Sequence, residues 1–290
     1  YMTVNVQLCD RELRDAAETI FRAWRYGVDA FIVADIGLAS YVHTVCPEIE
    51  LHASTQATGL NVLSADELKK IGFSRMVAPR EISKRDLEIL VKNSPIETEL
   101  FIHGAICVSC SGQCLMSSVI GGRSGNRGEC AQPCRLPYGK NGYALSLKDM
   151  CLAEHLTELS EMGVASLKIE GRMKAPEYVY GVTKIYRTLL DESRNAGEKE
   201  IAELSALFSR SGFTCGYYTG DIGRDMLGIR TADDKKESAK LLGSTIPEAK
   251  AEISLSADIR TGERASVTAS GIFDGKSVTY TAIGAVVGKG

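Results

Sequence analysis

Short apolar segments alternate with longer amphipathic ones along the first part of the chain. Three of these apolar segments, VDAFIVAD, FSRMVAPRE and VASLKIEGR, begin directly after Gly27, Gly72 and Gly163. Glycine is the common residue just beyond a helix end, and nearly continuous apolar strands are typical of a parallel sheet that is covered on both faces. The pattern therefore predicts repeated units of strand and helix.

The segments YMTVNVQ, IELHASTQ and ETELFIHG extend this pattern to about six strands. Alternating strands and helices form either a TIM barrel or a doubly wound sheet, and no glycine-rich phosphate loop follows any of these strands. We therefore predict an α/β fold, a TIM-like barrel over residues 1–230. A complete barrel has eight strands, so we expect that the first two βα units are missing and would precede Tyr1.

The pattern changes in the last sixty or so residues of the chain. Residues 231–250 are polar and predict a helical linker. The segments AEISLSADI, ERASVTASG and KSVTYTAIG then alternate apolar and polar residues, with turn residues between them. This alternation predicts a small antiparallel β module over residues 251–290.

Composition narrows the class of protein. Of 290 residues, 44% are hydrophobic and 24% are charged, which is ordinary for a globular chain. The net charge of −3 supplies no global basic field for nucleic acid, although local basic patches remain possible. The start of the chain does not resemble a signal peptide, and the longest uncharged run, residues 104–122, is too polar to span a bilayer. We expect a cytoplasmic protein with no membrane partner.

Five of the nine cysteines lie between Cys107 and Cys134, with the spacing C-x2-C-x3-C-x15-C-x3-C. Disulfides are rare in cytosolic proteins, so this clustering points to a metal site. The spacing by itself leaves two alternatives, a zinc ion held by two cysteine pairs and an iron–sulfur cluster held by four thiolates.

The segment ELFIHGAICVSCSGQCLMS, residues 99–117, resembles the signature of the collagenase-like peptidase family, peptidase family U32. The segments GRSGNRGECAQPCR and SLKIEGRMKAPEYV resemble the next two conserved blocks of that family. The resemblance extends over residues 1–228 and implies a barrel-type fold. It also implies a four-iron, four-sulfur cluster whose ligands map onto Cys107, Cys114, Cys130 and Cys134, with Cys110 at a free position of the signature.

The resemblance implies a function as well. Members of this family hydroxylate RNA without molecular oxygen, at a cytidine of ribosomal RNA or a wobble uridine of transfer RNA, with prephenate implicated as the hydroxyl source. The segment GYYTGDIGRDMLG and the β module look most like the ribosomal RNA subgroup. We therefore expect an iron–sulfur-dependent RNA hydroxylase. The alternatives are a collagenase-like peptidase and a zinc-stabilised RNA-binding scaffold.

Polar residues near the ends of the predicted strands supply candidates for catalysis, because active sites of barrels lie at the carboxyl ends of the strands. Alternation along KIEGR places its charged residues on one face, where arginine and lysine would bind an anion and glutamate would act as a base. The catalytic candidates are Lys168, Glu170, Arg172, His103 and His52. The candidates for contacts with RNA phosphates are Arg123, Arg127 and Arg135.

Overall fold

The computed structural model describes residues 1–230, 252–273 and 276–288, so the predicted linker at 231–250 lies outside the described residues. The chain divides into two units, residues 1–245 and 246–290. The strands of the first unit are β1 Met2–Val4, β2 Ala30–Val33, β3 Glu50–Ala53, β4 Phe73–Val77, β5 Glu97–Ala105, β6 Asp149–Cys151, β7 Ser166–Ile169 and β8 Phe213–Thr214. Its helices are α1 Asp10–Arg25, α2 Ile36–Val45, α3 Val62–Ile71, α4 Lys84–Asn93, α5 Met116–Gly121, α6 Leu156–Met162, α7 Pro176–Asp191, α8 Glu198–Leu207 and α9 Gly216–Thr219.

The eight strands form one sheet that is largely parallel. Strands β1 to β5 pair in chain order and all run parallel. Strand β7 pairs with β5 in parallel, β6 pairs with the end of β5 in antiparallel orientation, and β8 pairs with β6. The predicted α/β class and the six predicted strands are confirmed, whereas β6 and β8 were not predicted.

The sheet does not close on itself within residues 1–230, because no strand there pairs with the free edge of β1. The prediction of a TIM-like barrel is therefore confirmed only as an α/β fold with a largely parallel central sheet. Closure of a barrel stays a prediction. Physically, a parallel strand order alone does not close a sheet, since closure also needs a partner for each edge strand.

The two faces of the sheet differ in polarity. Register pairs His52 of β3 with Arg75 of β4, and Arg75 with Glu97 of β5, so these three side chains share one face. The opposite face carries apolar residues such as Phe31 and Leu51, which are fully buried in the core. Burying each such side chain contributes about 1.5–3 kcal/mol. The core thus lies between the sheet and its helices.

Local chemistry sets where the helices begin and end. The side chain of Asp35 accepts a hydrogen bond from the backbone N–H of Leu38 at 2.9 Å and so caps α2 directly after β2. Helix α3 ends at Gly72, whose φ of +112° is a left-handed conformation that favours glycine. An added Cβ there would collide with the ring of His43, so packing and conformation both require glycine.

The second unit contains the antiparallel β module that the alternation predicted. Its strands are β9 Ile253–Asp258, β10 Arg264–Phe273 and β11 Lys276–Val286, with β10 in the centre. Register places Val267 opposite both Ala257 and Ala282, so apolar residues share one face and serine and threonine residues share the other. Among the described residues, no helix combines the length and the apolar character that crossing a membrane requires.

Candidate functional site

The cysteine segment begins where β5 ends, and the neighbouring strand ends hold its first loop. The Glu81 carboxylate, just beyond β4, accepts hydrogen bonds from the backbone N–H and the hydroxyl of Ser111, both at 2.8 Å. Gly112 has a φ of +79°, and an added Cβ would lie 2.9 Å from the Cα of Gln56, which follows β3. The loop between Cys107 and Cys114 is therefore fixed by the ends of three neighbouring strands.

Two contacts hold the second half of the segment. The Ser117 hydroxyl in α5 accepts a hydrogen bond from the backbone N–H of Ala131 at 2.9 Å, next to Cys130. The Arg127 guanidinium donates to the carbonyl of Gln7 at 2.7 Å and to the Glu12 carboxylate at 2.6 Å. This ion pair lowers the pKa of Glu12 to about 2, the hydrogen bond being the largest cause. The segment is thereby tied to the start of α1.

Arg135, which follows Cys134, is a third anchor. Its guanidinium donates to the carbonyl of Ile106 at 2.8 Å and to the carbonyl of Leu147, and to the hydroxyl of Ser146 at 3.2 Å. All three acceptors are neutral, so the charge of Arg135 is not cancelled by these bonds. Its positive charge therefore also acts on the thiols of Cys107 and Cys134.

Four thiols are electrostatic neighbours of one another. Burial raises the pKa of the Cys107 and Cys134 thiols and is the largest cause in both cases. Cys107 as a whole is exposed, but its sulfur atom is surrounded by protein atoms. Charge on Cys114 or Cys130 would raise both pKa values further, and Arg135 lowers both. The thiols that influence these two pKa values are among the four that the family resemblance implies as ligands, and their role as ligands stays a prediction.

The donor chemistry of the cysteine set, as distinct from the positions of the sulfurs, suits a thiolate-bound metal group. Thiolates are the soft ligands that iron–sulfur clusters and zinc both take, and a guanidinium near a thiol favours the thiolate that ligation requires. The positive charges of Arg80 and Arg135 both lower the pKa of the Cys107 thiol. Across residues 1–230, 252–273 and 276–288, no group of three histidine, cysteine, aspartate or glutamate side chains stands in metal-binding positions.

Glu170 connects the end of β7 with the ends of β4 and β5. Its carboxylate accepts hydrogen bonds from the Arg80 guanidinium at 2.7 Å and from the backbone N–H of Arg172 at 2.9 Å. The Arg172 guanidinium in turn donates to the carbonyl of Gly128 in the cysteine segment. An added Cβ at Gly104, where φ is +105°, would lie 2.8 Å from the carbonyl oxygen of Glu170. Glycine therefore permits the close approach of β5 and β7.

Lys168 precedes Glu170 by two residues and lies within β7. Its ammonium donates to the buried carboxylate of Glu99 at 2.8 Å, and Glu99 also lies 3.5 Å from the Arg75 guanidinium. Burial works to raise the pKa of Glu99, and the bonds to its cationic neighbours, Lys168 first, bring it below the usual value. Lys168 therefore belongs to an ion-pair network on the polar face of the sheet, and Glu170 and Arg172 are the members of KIEGR that reach the cysteine segment.

Both predicted histidines are fully buried. In His52, Nε2 lies 2.8 Å from the Glu50 carboxylate, and Nδ1 has no hydrogen-bond partner. In His103, Nδ1 lies 3.2 Å from the Tyr186 hydroxyl, and the ring packs against the rings of Tyr186 and Phe213. The structure gives both side chains packing partners in the core, and their catalytic roles stay predictions.

The buried ring of His103 makes stability depend on pH. Burial lowers its pKa from 6.5 to about 3. Between these values the unfolded chain holds a proton that the folded chain lacks, so the free energy of unfolding falls as the pH drops, by up to about 1.4 kcal/mol per pH unit. We expect His103→Phe to flatten this dependence, measured by urea unfolding from about pH 7 to about pH 5.

The matched control is His155→Gln, which replaces a partly exposed histidine that contacts Glu158. This variant should keep the pH dependence of the parent chain. Equal slopes in the parent chain and His103→Phe would show that His103 does not carry the effect.

The three arginines predicted to contact RNA differ in their surroundings. Arg127 and Arg135 donate to protein acceptors and anchor the cysteine segment. Arg123 is exposed next to α5, with its guanidinium in solvent. Their roles as RNA contacts stay predictions, and Arg123 is the one whose donors are available without breaking an anchor.

Sequence reasoning missed a second cluster of charges close to the cysteines. Asp149 in β6 is fully buried and accepts a hydrogen bond from the Arg210 guanidinium at 2.5 Å. Lys174 and Arg135 lie close enough to feel the charges of both. The two partners are 61 residues apart, and β6 is too short for a periodic pattern, so no local signal marked them.

The fold and site define an α/β protein with a thiol-rich segment at the carboxyl ends of its strands. The model of peptidase family U32 matches residues 1–227, and the chain belongs to this family. The resemblance seen in the sequence is thereby confirmed.

The curated relatives are named either for hydroxylation of RNA or as collagenases. A 23S rRNA 5-hydroxycytidine synthase of Escherichia coli is 40% identical over 201 residues, which are 66% of this chain and 30% of that protein. A tRNA hydroxylation protein P of Helicobacter pylori is 34% identical over 75% of this chain and 57% of that protein. A collagenase of Porphyromonas gingivalis is 30% identical over 76% of this chain and 59% of that protein.

The chain thus spans less than two thirds of the length of these relatives. A solved U32 peptidase structure aligns with a TM-score of 0.30 and 16% identity, over 36% of this chain and 45% of that one.

Proposed function

We propose that this chain is the iron–sulfur-binding part of an RNA hydroxylase that works without molecular oxygen, with a ribosomal RNA cytidine as its substrate. The observation that carries the proposal is the anchoring of the cysteine segment at the strand ends, where Glu81 holds Ser111, Arg172 holds Gly128 and Glu170 pairs with Arg80. The names of the E. coli and H. pylori relatives support RNA as the substrate class. The fold we propose for the whole protein is a closed TIM-like barrel, and its compartment is the cytoplasm.

The proposed cofactor is a four-iron, four-sulfur cluster on Cys107, Cys114, Cys130 and Cys134, and zinc is the alternative. When bound, such a cluster supplies one-electron transfer at a potential set by its surroundings. Hydroxylation replaces a C–H bond of the base with a C–OH bond. The C–O bond of an organic hydroxyl donor must break as the new C–O bond forms, and the donor must take up the electron pair of the C–H bond together with a proton; we propose prephenate as that donor.

Glu170 has spare capacity to bind the base. A carboxylate offers about four acceptor positions, and the contacts with Arg80 and the N–H of Arg172 use two of them. The remaining positions can accept the exocyclic amine of cytosine or the proton that leaves its ring. Arg123, exposed at the rim, is placed to contact a phosphate.

The test is the nucleoside composition of ribosomal RNA after incubation with the protein, purified without oxygen, and with prephenate. We expect mass spectrometry to detect cytidine with one added oxygen atom. Glu170→Gln should lower the yield about a hundredfold, since it removes a positioned proton acceptor. Glu161→Gln, an exposed glutamate of α6, is the matched control and should leave the yield unchanged. Unmodified RNA with an intact cluster would contradict the proposal.

A peptidase is the second candidate, supported by the 30% identity to the P. gingivalis collagenase. The same protein can be incubated with denatured collagen. Cleavage that persists in Cys114→Ala, together with unmodified RNA, would favour the peptidase.

A further inference from the structure

One apolar side chain is unusually exposed in the turn that follows Glu170. Of the large apolar side chains that the structure describes, Met173 is the most exposed, at 88%. The backbone N–H of Lys174 donates to the carbonyl of Gly171 at 3.1 Å and closes the turn, so that Met173 is its third residue. The φ of Met173 is +61°, a left-handed conformation. At this position of a turn, a positive φ favours glycine.

The conformation of Met173 is unfavourable for the folded chain and brings no packing in return. A left-handed φ brings the Cβ of an ordinary residue too close to the following carbonyl oxygen, and an exposed side chain gains little apolar burial on folding. A single exposed apolar residue is common on protein surfaces, but one in a strained backbone is not. Such strained residues are concentrated at active sites and ligand sites. We therefore looked for a contact that Met173 makes with a bound molecule.

Both neighbours of Met173 fix the turn at the ends of the strands. The backbone N–H of Arg172 donates to the Glu170 carboxylate at 2.9 Å, and its guanidinium donates to the carbonyl of Gly128 in the cysteine segment. The Lys174 ammonium lies over two aromatic rings. The turn therefore holds the Met173 side chain in solvent, beside the carboxylate that is proposed to bind the base.

We propose that Met173 is a positioning residue that stacks against a base of the RNA substrate. The inference rests on the proposed function, because it names a further contact with the same substrate. A thioether is polarizable and makes favourable contacts with aromatic rings, and the unstacked bases of single-stranded RNA expose the faces of their rings. The exposed Arg172 guanidinium donates to a neutral carbonyl, which does not cancel its charge. This charge suits the phosphates that accompany such a base.

The test is the binding of single-stranded RNA to the parent chain and to variants of Met173, all purified without oxygen and compared at one salt concentration. The first probe is a fluorescein-labelled oligocytidine of about twelve nucleotides. The second probe has the same ribose–phosphate backbone without bases. Fluorescence anisotropy gives the Kd for each probe, and no reaction is needed.

Met173→Gly removes the side chain and suits the left-handed backbone, so this variant should fold with an unchanged or higher midpoint of urea unfolding. Its Kd for oligocytidine should rise about fivefold, since one stacking contact with a base is lost. Its Kd for the abasic RNA should equal that of the parent chain. Met173→Leu keeps an apolar side chain and should retain most of the affinity for oligocytidine.

Ser193→Gly is the matched control. Ser193 is also exposed and also has a left-handed φ, of +50°. It follows α7, whose 16 residues extend over about 24 Å, whereas the turn with Met173 precedes this helix. Ser193→Gly should therefore keep the Kd of the parent chain for both probes.

Three results would overturn the inference. If the parent chain prefers oligocytidine to the abasic probe and Met173→Gly binds it equally well, the inference fails and the proposed function is unaffected. If Met173→Gly binds both probes more weakly, the lost contact is not with a base. If the parent chain binds both probes equally or binds neither, the inference fails together with the base recognition that the proposed function requires.

Discussion

Replacing Cys114 with alanine is expected to remove nearly all iron and acid-labile sulfide from protein purified without oxygen. The proposed cluster takes four thiolates. Cys114 is one of the four proposed ligands, and its charge raises the pKa of the Cys107 and Cys134 thiols. Losing one of four ligands leaves an iron without its thiolate and exposes the cluster to solvent. The measurement is iron, zinc and sulfide per chain, with about four irons and four sulfides expected in the parent.

Cys110→Ala is the matched control, since Cys110 lies in the same loop, at the free position of the family signature. It should keep the iron and sulfide of the parent chain. One zinc and no sulfide in parent protein never exposed to air would contradict the cluster, and with it the hydroxylase proposal, in favour of the scaffold or the peptidase. Equal loss from both variants would show that the ligand set is assigned wrongly.

Replacing Arg210 with methionine is expected to lower the free energy of unfolding by about 3 kcal/mol. The buried Asp149 carboxylate accepts from Arg210 at 2.5 Å. Methionine fills similar space but leaves that carboxylate without its ion partner, which is costlier than removing an ion pair from the surface. Urea unfolding, followed by circular dichroism, measures the loss.

Arg187→Met is the control for this substitution. It removes the same side chain from an exposed ion pair with Asp191, and we expect a much smaller loss of stability because solvent screens exposed ion pairs. Adding Asp149→Asn to Arg210→Met should recover part of the stability, because it removes the unpaired charge. Equal losses from the two arginine variants would show that burial of Asp149 does not set the cost.

The elements predicted from the sequence are those with a clear local signal. Helices ending at Gly72 and Gly163 are followed by strands β4 and β7, as predicted. Strand β6 has three residues and β8 has two, which is too short for a pattern of alternation. Both are held in the sheet by partners far along the chain, so neither was predicted.

The predicted site residues likewise separate into those whose neighbours could be predicted from local patterns and those whose neighbours could not. Glu170 and Arg172 lie at the strand ends, where Arg172 donates to the carbonyl of Gly128 in the cysteine segment, and the four cysteines stay a predicted ligand set. Lys168, predicted on the same face as Glu170, pairs with Glu99 of β5. Residue type and alternation place a side chain on a face of a strand, but the partner that it meets depends on the neighbouring strands, which no local pattern records.

What the sequence by itself determined is the order of βα units and the β module, because each depends on the period of apolar residues between near neighbours in the chain. Only the tertiary structure decided which side chains meet. The contacts Glu81–Ser111, Gly128–Arg172 and Asp149–Arg210 join residues 30, 44 and 61 positions apart. The first two contacts form because parallel strands bring their carboxyl ends to one edge of the sheet, and the third lies there because β6, antiparallel to β5, begins at that edge. The strand order is set by packing of the whole unit.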